Sequence, residues 1–196
     1  MNKNCLLCGV GGQGVVLASR IIAFAAMEQG RFVRTTETIG MAQRGGSVVS
    51  HVRMGEVVHS PLIPKGSADV ILAFEPAEAV RCLSYLKEGG TVIVSSKSVK
   101  PVTSTLGGSN YDGAEMLEYL KEKVNNLKII DGEAVCEETG SAKVLNMALL
   151  GAAGASRALD ISAEELTKAV CRNGKEKFLE MNKKALKLGE AAYNQA

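Results

Sequence analysis

Six residues near the amino terminus carry the strongest chemical signal in the chain. Gly9-Val10-Gly11-Gly12-Gln13-Gly14 follows an apolar run and opens a helical pattern. Gly9, Gly11 and Gly14 thus satisfy G-x-G-x-x-G in the strand–turn–helix context that gives the motif meaning. Without Cβ atoms the chain turns tightly, a ligand can approach the backbone, and first-turn N–H groups with the helix dipole favour an anion. Two readings fit: a phosphate-bearing ligand, or a tight turn with none. A second cluster, Thr38-Ile39-Gly40-Met41-Ala42-Gln43-Arg44-Gly45-Gly46, should lie beyond the carboxyl end of strand two. Ligands bind beside such positions in open α/β sheets. Arg44 is a permanent planar cation suited to a phosphate or carboxylate, and equally to a structural ion pair. A nicotinamide site would want an acid at the end of strand two to hold the ribose. There the sequence offers Arg34, able to meet an NADP phosphate, and Glu37, placed late.

Other reactive residue types are sparse. The five cysteines, Cys5, Cys8, Cys82, Cys136 and Cys171, form an odd, scattered set that points to a reducing compartment. Cys5-x-x-Cys8 lies inside a strand pattern, whereas a redox pair sits at a helix start. No second cysteine or histidine pair completes a zinc or iron–sulfur ligand set. Ordinary buried thiols account for this spacing. The two histidines, His51 and His59, stand beside no obvious acid. No metal site is expected.

The elements that must position these residues follow a βα rhythm. Strands are expected over residues 4–10, 31–37, 47–54, 68–74, 91–95 and 127–131, with Gly55-Glu56 turning a hairpin into Val57-Val58. Helices are expected over about 13–29, 75–86, 114–125, 141–159, 162–172 and 175–194. Pro76 suits a first helical position and Ser162-x-x-Glu165 reads as a capping box. Residues 96–112, with Pro101 and Gly107-Gly108, form the least regular stretch. The fold class is α/β: a Rossmann-like open sheet, mostly parallel with an antiparallel hairpin, helices on both faces and a helical C-terminal segment. Two helical stretches, 15–27 and 144–155, are apolar almost all round. Each is either sandwiched in the core or partly covered by another subunit.

Composition narrows the class. The chain has 196 residues, suited to a single domain over 1–196. Its net charge of +2 comes without a basic block, which argues against nucleic acid. The longest apolar runs fall far short of a bilayer span, and no secretory signal precedes them. A cytoplasmic protein without membrane contact is expected.

The joint pattern resembles the gamma-type subunit of 2-oxoacid:ferredoxin oxidoreductases. The residues carrying the resemblance are the first glycine motif, the second motif through Ser47 with strand Val48–Arg53, and Ala73-Phe74-Glu75-Pro76 with Glu78-Ala79. It spans roughly residues 5–185. The form of the second motif is closest to the small (beta) subunit of the indolepyruvate type. The resemblance implies a subunit of a heterooligomeric oxidoreductase, inactive alone. Such a complex decarboxylates a 2-oxoacid, an aryl pyruvate for the indolepyruvate type, to an acyl-coenzyme A and passes electrons to ferredoxin. Thiamine diphosphate, magnesium and iron–sulfur clusters would sit on a large partner subunit, with none on this chain and coenzyme A as co-substrate. The residues carried over as ligand or interface positions, not catalysts, are Gly9, Gly11, Gly12, Gln13, Gly14, Gly40, Arg44, Gly45, Gly46 and Glu75. Thr38 and Gln43 of the second motif join them. A homodimer is the expectation for the isolated chain. Two alternatives stay open from the residues alone: a stand-alone NAD(P)-dependent dehydrogenase, and a binding module for a phosphate-bearing metabolite.

Overall fold

The computed structural model describes residues 2–39, 45–99 and 111–195. Strand β1 (Lys3–Val10) is the centre of construction. From Cys5 onward its residues are buried on both faces, as a run without polar alternation requires. Helix α1 (Val15–Glu28) follows, then β2 (Phe32–Ile39), β3 (Ser47–Gly55), β4 (Ala68–Ala73), α2 (Pro76–Cys82) and β5 (Leu86–Ser95). The chain continues through α3 (Ala114–Lys123), β6 (Asn126–Ile130), α4 (Gly132–Thr139), α5 (Leu145–Ser156), α6 (Ala163–Asn173) and α7 (Leu179–Gln195). The six strands form one sheet in the order β2-β3-β1-β4-β5-β6. Strands β1, β4, β5 and β6 pair in parallel, and β3 runs antiparallel between β1 and β2.

The period-two alternation of β1 divides the core. Cys5 and Leu7 face α1, α5, α6 and α7, and Leu6 and Cys8 face α2 and α3. The mixed α/β sheet with helices on both faces is therefore present, and its antiparallel hairpin is β2–β3. Val57-Val58 is not its second arm. Both edges of β3 are already paired, so no ladder is left for that segment. It is held instead by Asn2, whose Nδ2 donates to Val57 O at 2.8 Å, while Arg53 Nη1 holds the following turn by donating to the carbonyls of Ser60 and Leu62 at 3.0 and 3.1 Å. Strand β5 begins at Leu86, before Gly89-Gly90, through an irregular step in the β4–β5 ladder between Ala68 and Val70.

The caps expected from sequence form. Glu75 Oε2 accepts from Glu78 N at the start of α2, and Ser162 and Glu165 make a reciprocal capping box at α6. Helix α4 was not anticipated. Asp131, expected in the last strand, caps it by accepting from Glu133 N and Ala134 N, both at 3.1 Å. The helix expected from residue 141 begins as a 3-10 turn, Ala142–Val144, before α5. Helix α5 is buried from Leu145 to Gly154, which settles its apolar surface as core. Helix α7 presses directly on it: a Cβ built on Gly189 would stand 1.8 Å from Ala148 O, and one on Gly151 2.0 Å from Leu186 O. Helix α1 is different, for Leu17 and Met27 remain exposed. Among the described residues no helix is long and apolar enough to cross a membrane.

Candidate functional site

The carboxyl ends of β1 and β4 and the start of β3 come together at one end of the sheet. There the first glycine motif turns from β1 into α1. Gly12 and Gly14 take φ of +102° and +84°, the left-handed region that favours glycine. Gly9 is fixed by space: a Cβ would meet Gln13 Oε1 at 2.7 Å and Phe74 Cβ at 2.8 Å. The Gln13 side chain explains why. Its Oε1 accepts from Val10 N at 2.7 Å and its Nε2 donates to Phe74 O at 3.0 Å. It thereby stitches the end of β1 to the end of β4, across the crevice where an open sheet binds ligands.

The two glycine motifs meet here. Gly11 N donates to Gly46 O at 2.8 Å. Gly45, at φ +79°, precedes that contact, and Thr38 stands exposed opposite Val49 on the β2–β3 ladder. Gly40, Gln43 and Arg44 lie outside the described residues, as does most of the irregular stretch, residues 100–110. The loop walls an open cavity of about 300 Å³ with Gly11, Gly12, Gly14, Val15, Val16 and Val48 among its lining. No side chain caps the first turn of α1 and no acidic residue sits in it. Among the described residues nothing caps this end, so its first-turn N–H groups and positive dipole end suit an anion. None of the loop's own side chains is a nucleophile or an acid.

Glu75 and Glu78 lie beside this end of the sheet, both buried. Each is satisfied within the chain. Glu75 accepts from Glu78 N and from the Tyr111 hydroxyl. Glu78 accepts from Ser47 Oγ at 2.6 Å and pairs with Arg81. Burial, and then the bond to Glu75, hold the Tyr111 phenol well above its ordinary range, so it stays a donor. Glu75 thus anchors α2 and ties β3, through Glu78 and Ser47, to the loop end of the sheet. Sequence reasoning missed Tyr111, Ser47 and the stitching role of Gln13. The only available signal was the placement of polar residues in otherwise apolar turns.

Cys5 and Cys8, three apart on a strand, point to opposite faces. A hydrogen bond with the Cys82 thiol, and then burial, push Cys8 up, while burial and the Asp69 charge do the same to Cys5. Thiols held protonated are poor nucleophiles and ligands. Among the described residues, which include all five cysteines, no three His, Cys, Asp or Glu side chains converge to hold a metal ion. The described residues therefore assemble no cysteine ligand set for an iron–sulfur cluster.

The sheet order bears on the dinucleotide reading. A ribose-binding acid works when strand two lies next to strand one. Here β3 intervenes and sets β2 roughly 10 Å from β1. Glu37 is occupied with Arg20 at 3.9 Å, and Arg34 lies opposite Arg53.

A nucleotide-type loop on a sheet with an inserted antiparallel strand, without a reactive group in the loop, has close counterparts among known proteins. Residues 4–192 match the family model for pyruvate ferredoxin/flavodoxin oxidoreductase, and the chain belongs to that family. It is 39% identical to the indolepyruvate oxidoreductase subunit IorB of Archaeoglobus fulgidus, covering all of this chain and 96% of that protein. The counterpart in Pyrococcus horikoshii is 37% identical over 96% and 95% of the two chains. The crystal structure of a keto/oxoacid ferredoxin oxidoreductase gamma subunit from Geobacter sulfurreducens superposes with a TM-score of 0.73 at 26% identity, covering 100% and 98% of the two chains. The fold also matches 31% of a longer chain, a 2-oxoglutarate:ferredoxin oxidoreductase from Magnetococcus marinus, with a TM-score of 0.71 at 20% identity; the match covers all of this chain. These relatives do not favour a stand-alone dehydrogenase or a simple binding module.

Proposed function

We propose that the chain is the small subunit of an indolepyruvate-type 2-oxoacid:ferredoxin oxidoreductase, and that its glycine loop holds an anionic part of coenzyme A. The observation that carries this reading is the uncapped, acid-free start of α1, locked to the second motif by the Gly11–Gly46 hydrogen bond. Relatives at 37–39% identity bear the indolepyruvate oxidoreductase name, and the 2-oxoglutarate enzyme was crystallised with coenzyme A and succinyl-CoA. In this reading thiamine diphosphate with magnesium supplies the decarboxylation chemistry, and iron–sulfur clusters carry electrons to ferredoxin, all on a larger partner subunit. This chain orients the acyl acceptor. Gly9, Gly11, Gly12, Gly14, Gly45 and Gly46 shape the backbone, Gln13 fixes the loop and Glu75 holds α2, and ligand or interface roles are assigned to Thr38, Gly40, Gln43 and Arg44 of the second motif.

The test is reconstitution. Aryl-pyruvate-dependent ferredoxin reduction should require both the small and the large subunit, with none from the small subunit alone. Turnover by the lone chain would overturn the reading. In the complex, Arg44→Ala should lower turnover over KM by about 10–100-fold, the value of a charged hydrogen bond, without moving the melting temperature. Unchanged kinetics would make Arg44 structural.

A further inference from the structure

Two cysteines from different elements meet on the α2 side of the sheet. Cys8 is the residue before Gly9 on β1, and Cys82 ends α2. Both belong to the apolar cluster that α2 and α3 press against the sheet, and the two thiols are hydrogen-bonded to each other. The remaining cysteines stand elsewhere. Cys5 and Cys136 lie in the core on the opposite face, and Cys171 is half-buried on α6. Neither Cys8 nor Cys82 takes part in the function proposed above.

The two sulfurs are unequal. Cys8 is fully buried, whereas Cys82 keeps 5% of its surface in water, so Cys82 is the sulfur that a small solute reaches. The hydrogen bond donated by Cys8 holds the Cys82 thiol below its ordinary range, against burial and the Glu78 charge, and the Arg81 guanidinium adds to the effect. The same bond, and then burial, push Cys8 up. One sulfur is thus prepared as a thiolate and the other as its protonated neighbour, which suits an attacking and a resolving cysteine. Contact also spares the second step a bimolecular encounter. Closing to the roughly 2.05 Å of a disulfide asks for rotation of both side chains and a small shift of α2, a helix of seven residues.

We propose that Cys8 and Cys82 form a reversible disulfide with a peroxide as oxidant, tying β1 to α2 beside the glycine loop. With hydrogen peroxide, the Cys82 thiolate displaces hydroxide and becomes a sulfenic acid. The hydroxide takes up the proton that Cys82 gave away. The Cys8 sulfur then attacks the Cys82 sulfur, and the sulfenic hydroxyl leaves with the Cys8 proton as water. Two thiols and one peroxide give one disulfide and two waters. The bond would join the strand that ends in the first glycine motif to the helix whose Glu78 holds Ser47, next to the second. The inference rests on contacts within this chain and not on the loop's ligand.

The experiment exposes the folded full chain to hydrogen peroxide, with Cys171→Ser to keep copies from cross-linking through that thiol. Catalase stops the reaction, the chain is unfolded in N-ethylmaleimide, and its peptides are mapped by mass without reduction. The peptides containing Cys8 and Cys82 should appear joined, with Cys5 and Cys136 alkylated, and dithiothreitol should separate them. Cys82 should be consumed at least about tenfold faster than Cys5, since each pKa unit changes the thiolate fraction about tenfold. Cys82→Ala should leave Cys8 reduced. Cys8→Ser, which keeps a donor on Cys82, should leave a sulfenic acid there that dimedone labels. Should either variant not fold, the map of the parent chain still decides. The proposal is overturned if peroxide leaves both thiols free for alkylation, or if Cys82 reacts no faster than Cys5. It is also overturned if Cys82 goes on to a sulfinic acid without joining Cys8, or if the two peptides join only in the unfolded chain.

Discussion

Tyr111 shows what a single side chain contributes at this end of the sheet. Its hydroxyl satisfies one oxygen of the buried Glu75, and Tyr111→Phe would leave that oxygen without its donor. The expected loss is about 1–3 kcal/mol, read as a lower urea midpoint at unchanged slope. An unchanged midpoint would mean that water replaces the phenol. His51 gives a pH prediction. Burial pushes its imidazole below the ordinary 6.5, in keeping with Nδ1 accepting from Ile63 N at 3.2 Å. Below pH 6.5 the unfolded chain takes up a proton that the folded ring refuses. The unfolded state then binds more protons, so this contribution is whole above that pH and falls as the pH drops toward the folded value. The melting temperature should fall more between about pH 7.5 and pH 5.5 in the wild type than in His51→Gln. Equal falls would contradict the assignment. At this scale the glycines were legible, because their spacing is itself the message. The contacts of Gln13 and Tyr111 were not, because a polar residue in a sequence does not say which distant backbone or side chain it meets.

Among the elements, the α5–α7 crossing is the clearest case of packing set by small residues. Gly189 and Gly151 let two backbones touch where any Cβ would enter a carbonyl oxygen. Gly189→Ala should therefore cost about 3 kcal/mol, the upper end for overpacking. For a chain of this size that is a fall of roughly 6–12 °C in melting temperature. A fall of only a degree or two would show that the helices part easily. Strand and helix identities could be read from periodicity because β1, β4 and α1 are long or uniformly apolar. Two boundaries could not. Helix α4 buries little beyond Gly132, Val135 and Cys136, too few residues to print a period. The hairpin was placed one connection late, because Gly55-Glu56 is a local turn signal, whereas the pairing of β3 with β1, from Lys3 with Met54 to Val10 with Ser47, joins residues far apart in sequence.

For the whole molecule, the inserted strand β3 is what separates this chain from a dinucleotide dehydrogenase. It keeps the glycine loop and moves strand two out of reach of a ribose held there. The sequence carried that distinction only through the joint pattern of two glycine motifs, since strand order is a long-range property. The proposed anion site is built from backbone, on a subunit whose loop has no reactive side chain. Gly12 offers the most direct probe of that site, because a Cβ there would meet nothing within 4 Å. Gly12→Asp and Gly12→Asn carry the same backbone strain and nearly the same shape, and differ by one charge. In the reconstituted two-subunit enzyme the KM for coenzyme A should be at least about tenfold higher for the aspartate than for the asparagine variant, given like-charge repulsion near a surface. The KM for the oxoacid should be equal in the two. Equal KM values for coenzyme A would contradict the account.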